Sequence, residues 1–519
     1  MIGGGISGLA AAHRLVERAR AAGRPLTIHL WEARPRLGGI IETRRERGYL
    51  VECGPDMFIT DKPWGVELCR RLGLETELIT PEPRYRRTLV VRDGRVLPVP
   101  SGFQLMAPTD LWSFLRSPVL SWSGKLRVMC EAVLPPRRSP SPTSPAAAAD
   151  GPVADADAFD DESLGAFVRR RFGAEALDRL VQPLVAGIYT ADADQLSLAA
   201  TMPRFLEMER RHGSVIRGLL RERRQRRRRG QAVERSSVPE FREGPVRPPT
   251  AASDVEAGSG ARYELFVTLR DGLQRLVDVL AERLEGNARL HVGRCATAVQ
   301  RMAMNDAAVG GRSGYRVTTD DGSVEVDALL LAVPAYRAAD LLQRVHGTLA
   351  EALRTIEYAS SVVVVSAHAE ADFAHPLDAY GLVVPRIEDR PILAVSFASR
   401  KFPGRAPAGH VLLRTFLGGA LQPELCQRSD AELRDIALGQ LRELLGLRRE
   451  PDFAWVVRHE RAMPQYTLGH PARVAKIDSF VRSLPGLALA GSAFRGVGIP
   501  DSIHSGQQAA EKVWRDVCG

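Results

Sequence analysis

The sequence predicts an α/β protein. A doubly wound parallel sheet, to which both ends of the chain contribute, stands beside further β-rich stretches and a helical region. Three observations carry this. The chain opens on a glycine-rich turn that runs straight into an apolar helix, "GGGISGLAAAHRLVERARAAG". A β-rich stretch ending in an acid, "LTIHLWE" (26–32), follows it, as the second strand of such a sheet would. At the far end, "LALAG" (487–491) gives a short buried strand followed by a glycine-rich turn and a helix.

The opening turn carries G-x-G-x-x-G on Gly3, Gly5 and Gly8, with Gly4, Ile6 and Ser7 between them. The first glycine permits the tight turn, the second lets a pyrophosphate approach the backbone, and the third lets helix and strand pack closely. The helix N-terminus then faces the phosphates with free N–H groups. Glu32, with Ala33 beside it, ends the second strand, where a carboxylate accepts hydrogen bonds from both ribose hydroxyls. These features predict a Rossmann-like dinucleotide site. Gly38 and Gly39, followed by Ile40, make a second glycine turn, and Gly54-Pro55, followed by Asp56 and Met57, a third. A nicotinamide site needs neither. A stretched flavin dinucleotide needs close backbone along its whole length, so FAD is the expected cofactor. A doubly wound sheet also needs a central first strand of about five or six residues. Met1 and Ile2 are expected to be its last residues, with the true start upstream.

The chain has 519 residues and 45% hydrophobic content, enough for two or three domains. It has no apolar run near the roughly 20 residues of a membrane helix, and no secretory signal is expected. Six scattered cysteines without a C-x-x-C pair point to reduced thiols, and no metal site is expected. Much of the net charge of +9 sits in Arg221–Arg229, "RERRQRRRR", which reads as a solvated charge run rather than a nucleic-acid site. Segments 135–162 and 221–262 carry too few apolar side chains to order themselves and read as surface insertions. Helical spacing dominates 101–220, while "ALLLAVP" (328–334), "SSVVVVSAH" (360–368) and "HVLLRTFLGG" (410–419) read as strands.

The Glu32–Gly39 pattern, E-x-x-x-R-x-G-G, resembles the flavin amine oxidase superfamily. "GGGISGL", "RPRLGG", "ESLGAFVRRRFG", "QPLVAGIYTADADQLSLAATMPRF", "AGSAFRGVGIPDSIHSG" and the Arg87–Pro98 segment together resemble its porphyrinogen-oxidising branch, the protoporphyrinogen and coproporphyrinogen III oxidases. The resemblance covers the chain apart from the two insertions. It implies a six-electron oxidation of a porphyrinogen in haem biosynthesis, with FAD as hydride acceptor, O2 as final acceptor, peroxide as by-product and no catalytic side chain. The scattered histidines are expected to be structural or solvated. The resemblance places Val497, Gly498 and Ile499 at the flavin pyrimidine, where a helix N-terminus stabilises the anionic reduced flavin, and adds Ala296 to the cofactor set. Ser492 departs from the Asp found after this glycine in many flavoproteins. Arg87 aligns with an Arg that grips a propionate, with Arg84, Arg86 and Arg92 close enough for a slipped register. Gly187 aligns with a glycine lining the macrocycle pocket, and Tyr380 with an aromatic stacking on a pyrrole.

The same resemblance divides the chain. The FAD-binding domain is discontinuous (1–84, 263–335 and 481–519), and the mixed-sheet substrate domain takes 85–100 and 336–480. The helical region, 101–220, is membrane-associated through "DLWSFLRSPVLSWSGKLRVM", with Trp112, Phe114, Leu115 and Trp122. A cytoplasmic protein peripheral on the inner face of the membrane is expected, as a monomer or homodimer, handing its product to the next haem-pathway enzyme. Protoporphyrinogen and coproporphyrinogen remain alternatives. So do an amine- or carotenoid-oxidising flavoenzyme and, outside enzymes, a degenerate FAD-binding scaffold.

Overall fold

Met1 and Ile2 lie at the centre of a parallel sheet in the computed structural model, with Ile2 bridging Trp31 on one side and Leu331 on the other. The Ile2 N–H donates to Leu330 O at 2.9 Å, and Ile2 O accepts from Ala332 N–H at 2.8 Å. On the opposite edge, Trp31 N–H donates to Met1 O at 3.0 Å and Gly3 N–H to Trp31 O at 2.8 Å. Outward from this centre, His29–Glu32 pairs in parallel with Arg289–Val292, and Leu329–Leu331 with Leu487–Leu489. The structure describes residues 1–104, 107–108, 110–137, 161–222, 224, 265–303 and 313–518. The two expected insertions, 135–162 and 221–262, lie outside these residues except at their ends.

A parallel sheet buries both faces, and helices cover both here. Helices Ile6–Ala22 and Ile499–Cys518 pack on one side, sharing Leu9, Ala12, Ile503 and Ala510 in one apolar cluster. They come close because Gly506 lacks a side chain: a Cβ there would sit 2.1 Å from Ser7 O. Helices Ala335–Leu342, Gly347–Arg354 and His470–Arg482 pack on the other side, in a cluster with Ile2, Trp31, Leu329 and Leu331. The segments 336–354 and 470–480, expected in the substrate domain, therefore cover the parallel layer instead. Their apolar stripes match its exposed face.

The second sheet has seven strands, in the order Phe453–Pro464, Tyr358–Ala369, His410–Gly418, Ala394–Phe397, Gly381–Val383, Thr88–Arg92 and Arg95–Pro98. All its pairings are antiparallel except that of Gly381–Val383 with Thr88–Arg92. Strand alternation sorts the side chains. Leu89, Val91, Val364 and Leu413 face helix Asp430–Leu445. Val90, Val383 and Ala394 face the helical region, and Val363, Val365 and Leu412 meet Tyr49, Val51 and Cys53 of the FAD layer.

The helical region packs Phe114, Phe167, Phe172 and Leu180 around a fully buried ion pair, Arg171–Glu131. Glu131 also accepts from Ser214 Oγ at 2.6 Å and from the Ile216 N–H at 3.1 Å, so its lone pairs are used at the start of helix 215–222. A buried pair is tolerated when its remaining hydrogen-bond capacity is filled in this way. The "ADADQLSL" loop is locked to helix Leu164–Phe172: Gly165 N–H donates to Ala193 O, and Arg169 pairs bidentately with Asp194.

Candidate active site

The dinucleotide turn is shaped by close backbone approaches. Gly3 has φ +106°, and a Cβ on Gly8 would lie 2.0 Å from Gly3 O. Gly5 marks the open side, since a Cβ there would meet only Gly39 Cα, at 3.9 Å, within 4 Å. Gly5 is also the N-cap of Ile6–Ala22, and among the described residues no side chain caps that helix. Its N–H groups are left for an anion. Glu32 closes the far side, 9% exposed, its carboxylate taking Gly4 N–H at 2.7 Å and Arg34 N–H at 2.9 Å. Each oxygen keeps a lone pair for a ribose hydroxyl. Ala33 follows on the exposed side, and Ala296 opens strand Ala296–Ala303 just past the partner of the Glu32 strand. An open cradle at Gly5, an uncapped helix and a paired carboxylate together fit the adenosine and pyrophosphate of FAD.

The next turns are tied to the first. Gly38 N–H donates to Gly4 O at 2.9 Å. Arg36 holds the turn by donating to Leu37 O, Gly39 O and Ile41 O, while Ile40 points outward. The third turn, Gly54-Pro55-Asp56-Met57, packs its glycine against Ile40 O, which a Cβ would approach to 1.9 Å. Asp56 lies against two buried cations, Lys401 of the short helix Ala398–Lys401 and Arg414 of the second sheet, with Lys401 Nζ at 2.9 Å and Arg414 Nη1 at 3.3 Å from Oδ2. Burial opposes its ionisation, but Lys401 and then Arg414 outweigh it and hold the carboxyl at about 2. Arg414 also donates to Gly54 O, and His459 Nε2 to Cys53 O at 3.0 Å.

The C-terminal loop completes the site. Gly491 N–H donates to Ser505 Oγ. Tyr466 bridges the loop, donating from its hydroxyl to Ser492 O at 2.6 Å and accepting from Gly496 N–H at 2.7 Å. Its ring stacks on His470 at 4.0 Å, and His470 Nε2 donates to Phe494 O. Burial pushes His470 down to about 4, so the stack is neutral. Val497, Gly498 and Ile499 lead directly into the final helix, whose first turn holds Asp501, paired with Lys62.

The substrate residues expected from the sequence stand on two neighbouring elements, helix Gln182–Tyr189 and the start of the Gly381–Val383 strand with its partner. Gly187 is exposed on helix Gln182–Tyr189, and a Cβ there would meet no atom within 4 Å. Two residues on, Tyr189 O accepts from Gln465 Nε2 at 3.3 Å, next to the Tyr466 that bridges the C-terminal loop, which puts this helix end beside that loop. Arg87 and Tyr380 are neighbours, through Tyr380 N–H to Arg87 O. Arg87 is half exposed and pairs with Asp378 at 3.1 Å. Tyr380 corrects the expectation of a ring open to a pyrrole. It is 2% exposed and spends its hydroxyl on Glu82 O, because the sheet layer closes over it. Sequence reasoning missed Lys401, Arg414, His459, Tyr466 and the Lys62–Asp501 pair. Only Asp501 carried a signal, inside the "GIPDS" stretch.

A dinucleotide cradle continued by two glycine turns to a C-terminal helix cap defines a flavin-dependent oxidoreductase. The model of the family described as flavin containing amine oxidoreductase matches residues 6–514, and the chain belongs to that family. The coproporphyrinogen III oxidase of Bacillus subtilis (strain 168) is 30% identical over 98% of this chain and 96% of its own length. That of Propionibacterium freudenreichii subsp. freudenreichii is 33% identical, over 99% and 90%. Mitochondrial protoporphyrinogen oxidase of Nicotiana tabacum is 27% identical, over 99% and 94%. Cyclohexylamine oxidase from Brevibacterium oxydans IH-35A, at 16% identity and TM-score 0.62 over 99% of this chain and 98% of its own, shares the fold.

The Asp56 cluster has a defined pH signature. Its folded pKa of about 2 lies below the ordinary carboxyl value. The stability it adds is therefore present above about pH 4 and is lost as pH falls toward 2, on the order of 2–3 kcal/mol in all. Asp56→Asn should be less stable than the parent in urea at pH 7, with the gap closing on acidification. A gap that stays constant from pH 7 to pH 3 would sink this account.

Proposed function

We propose that this enzyme oxidises a porphyrinogen to the porphyrin with FAD and O2, and that coproporphyrinogen III is the preferred substrate. The relatives named for these oxidations align with the chain end to end, and the two at 30% and 33% identity are both coproporphyrinogen III oxidases. The observation that carries the reading is Gly187: a bare, exposed stretch of helix beside the C-terminal loop, suited to a flat macrocycle lying against the flavin. Bound FAD supplies hydride acceptance, with O2 as final acceptor. The chain's own work is to orient the macrocycle, hold its carboxylates and keep water out. No acid–base side chain is needed for that role.

Gly187→Leu separates substrate packing from folding. The added side chain meets no atom at Cβ, and replacing a helix glycine should cost no stability, gaining up to about 1 kcal/mol. The variant should keep its flavin spectrum and melting temperature yet lose at least about tenfold in kcat/KM for coproporphyrinogen III, roughly 1.4 kcal/mol. Porphyrin fluorescence and peroxide release, compared between coproporphyrinogen III and protoporphyrinogen IX, read both the reaction and the preference. Unchanged kinetics in the variant would remove the macrocycle from this face, and absence of turnover with either substrate would reject the reading.

Arg87 is proposed to take a propionate in competition with Asp378, its carboxylate partner at 3.1 Å. Arg87→Ala should then raise KM, whereas Asp378→Asn should lower it, both with the flavin spectrum unchanged. If Asp378→Asn leaves KM alone, the pair is only a surface ion pair and the grip belongs elsewhere.

The helical region is proposed to touch an anionic membrane surface peripherally. Trp112 and Trp122 are 71% and 73% exposed, and Leu126 and Val133 lie open near them. Arg116 covers the Trp112 ring, leaving a cation beside apolar surface, while Lys125, over the Trp122 ring, is buried and donates to Leu115 O. Among the described residues no helix is long and apolar enough to cross a membrane. The enzyme should co-sediment with phosphatidylserine vesicles, and Trp112→Ser with Trp122→Ser should abolish this at unchanged activity on detergent-dispersed substrate. Equal sedimentation of parent and double variant would refute it.

A further inference from the structure

The final helix begins with a charge that works against its expected role. A helix N-terminus carries about half a positive charge, which favours the anionic reduced flavin. Asp501 stands in the first turn of Ile499–Cys518 and is folded back over the loop before it. A Cβ on Gly496, at φ +137°, would sit 2.3 Å from Asp501 Cγ and 2.5 Å from Oδ2. A Cβ on Gly498 would sit 3.1 Å from the same oxygen. Left alone, this carboxylate would overturn the sign of the helix end.

It is not left alone. Lys62 Nζ donates to both carboxylate oxygens, at 2.6 Å and 2.8 Å. Asp501 is 9% exposed and Lys62 43%, so the pair reaches from the site to the surface. Lys62 is held there by its neighbours. Two residues on, Trp64 stacks on His504 of the final helix at 3.8 Å, and a Cβ on Gly65 would meet Pro500 at 3.3 Å. The two tyrosines that feel Asp501 are neutral: burial pushes Tyr189 up to about 12 and Tyr466 higher still, with Asp501 adding to both. They offer no compensating charge.

We propose that Lys62 is a positioning residue that cancels Asp501, keeps this helix end electropositive toward bound flavin, and thereby sets the flavin midpoint potential. The proposal rests on the reading that Val497–Ile499 lie at the flavin pyrimidine. An ion pair serving stability alone would leave the potential where it is.

The test is the midpoint potential of the FAD-loaded enzyme, measured by equilibration with a reference dye. Lys62→Met should shift the equilibrium about tenfold toward oxidised flavin, about 30 mV for a two-electron couple. Asp501→Asn should shift it the other way, the double variant should return close to the parent, and Lys62→Arg should preserve the parent value. Lys62 is exposed enough that its variants should fold, so Lys62→Met against Lys62→Arg decides the matter even if Asp501→Asn is unstable. Val497→Glu tests the underlying reading separately, since a carboxylate there lowers the potential wherever the pyrimidine lies beside it. A shift with Val497→Glu but none with Lys62→Met overturns the proposal and keeps the flavin placement. No shift in any variant overturns both.

Discussion

The approach of Gly8 to Gly3 is the constraint on which the rest of the structure depends. The start of the first helix must press against the end of the first strand so closely that a Cβ at Gly8 would lie 2.0 Å from a backbone oxygen. That contact aims the uncapped helix end at the space beside Gly5, where a pyrophosphate belongs. It also sets the height at which the final helix docks, because Gly506 rests on the Ser7 carbonyl of the same turn. The FAD layer is thereby closed at both ends of the chain by backbone-to-backbone contact, which no side chain could bridge.

Charge ties this layer to the second sheet. Asp56 stands on the third turn of the FAD layer, while Arg414 comes from the seven-stranded sheet and Lys401 from the short helix that joins two of its strands. His459 adds a hydrogen bond from the edge strand to the same turn. Buried charges are costly unless paired and hydrogen-bonded, so this cluster permits one alignment of the two layers and penalises others. The cofactor turn and the substrate sheet consequently share one fixed geometry. The Lys62–Asp501 pair repeats the device between an early loop and the final helix.

The wall proposed for the substrate is built more openly. Its helix Gln182–Tyr189 follows a π-helical turn, Leu177–Val181, and ends at Thr190 in the left-handed region, whose carbonyl accepts from Ala420 N–H. The bare Gly187 surface therefore lies on an element fixed at its end by the second sheet and inside by Leu180, Val181 and Val185. Rigid support around an unfilled wall is what a flat apolar substrate needs from its protein. The locked "ADADQLSL" loop, with Arg169 on Asp194, sits just beyond and holds the helix from its other side.

The parts of this protein that are legible in the sequence are those whose physics is local. A turn that needs glycine at fixed spacing, a strand that ends on an acid, and apolar runs with strand or helix period depend on neighbours a few residues away. Accordingly, "LTIHLWE", "ALLLAVP", "HVLLRTFLGG" and "LALAG" each contain a strand, and Glu32 stands beside the turn it was expected to serve. The tertiary structure alone decided which charges meet. Lys62 and Asp501 are separated by 439 positions, and Asp56 and Lys401 by 345, so no pattern along the chain pairs them. It also decided that the Tyr380 ring is buried and that Arg87 meets Asp378. A strand's alternation fixes only that successive residues take opposite sides. Which side is covered depends on what packs there, and here helix Asp430–Leu445, more than 300 residues later in the chain, covers the face to which Leu89 and Val91 belong.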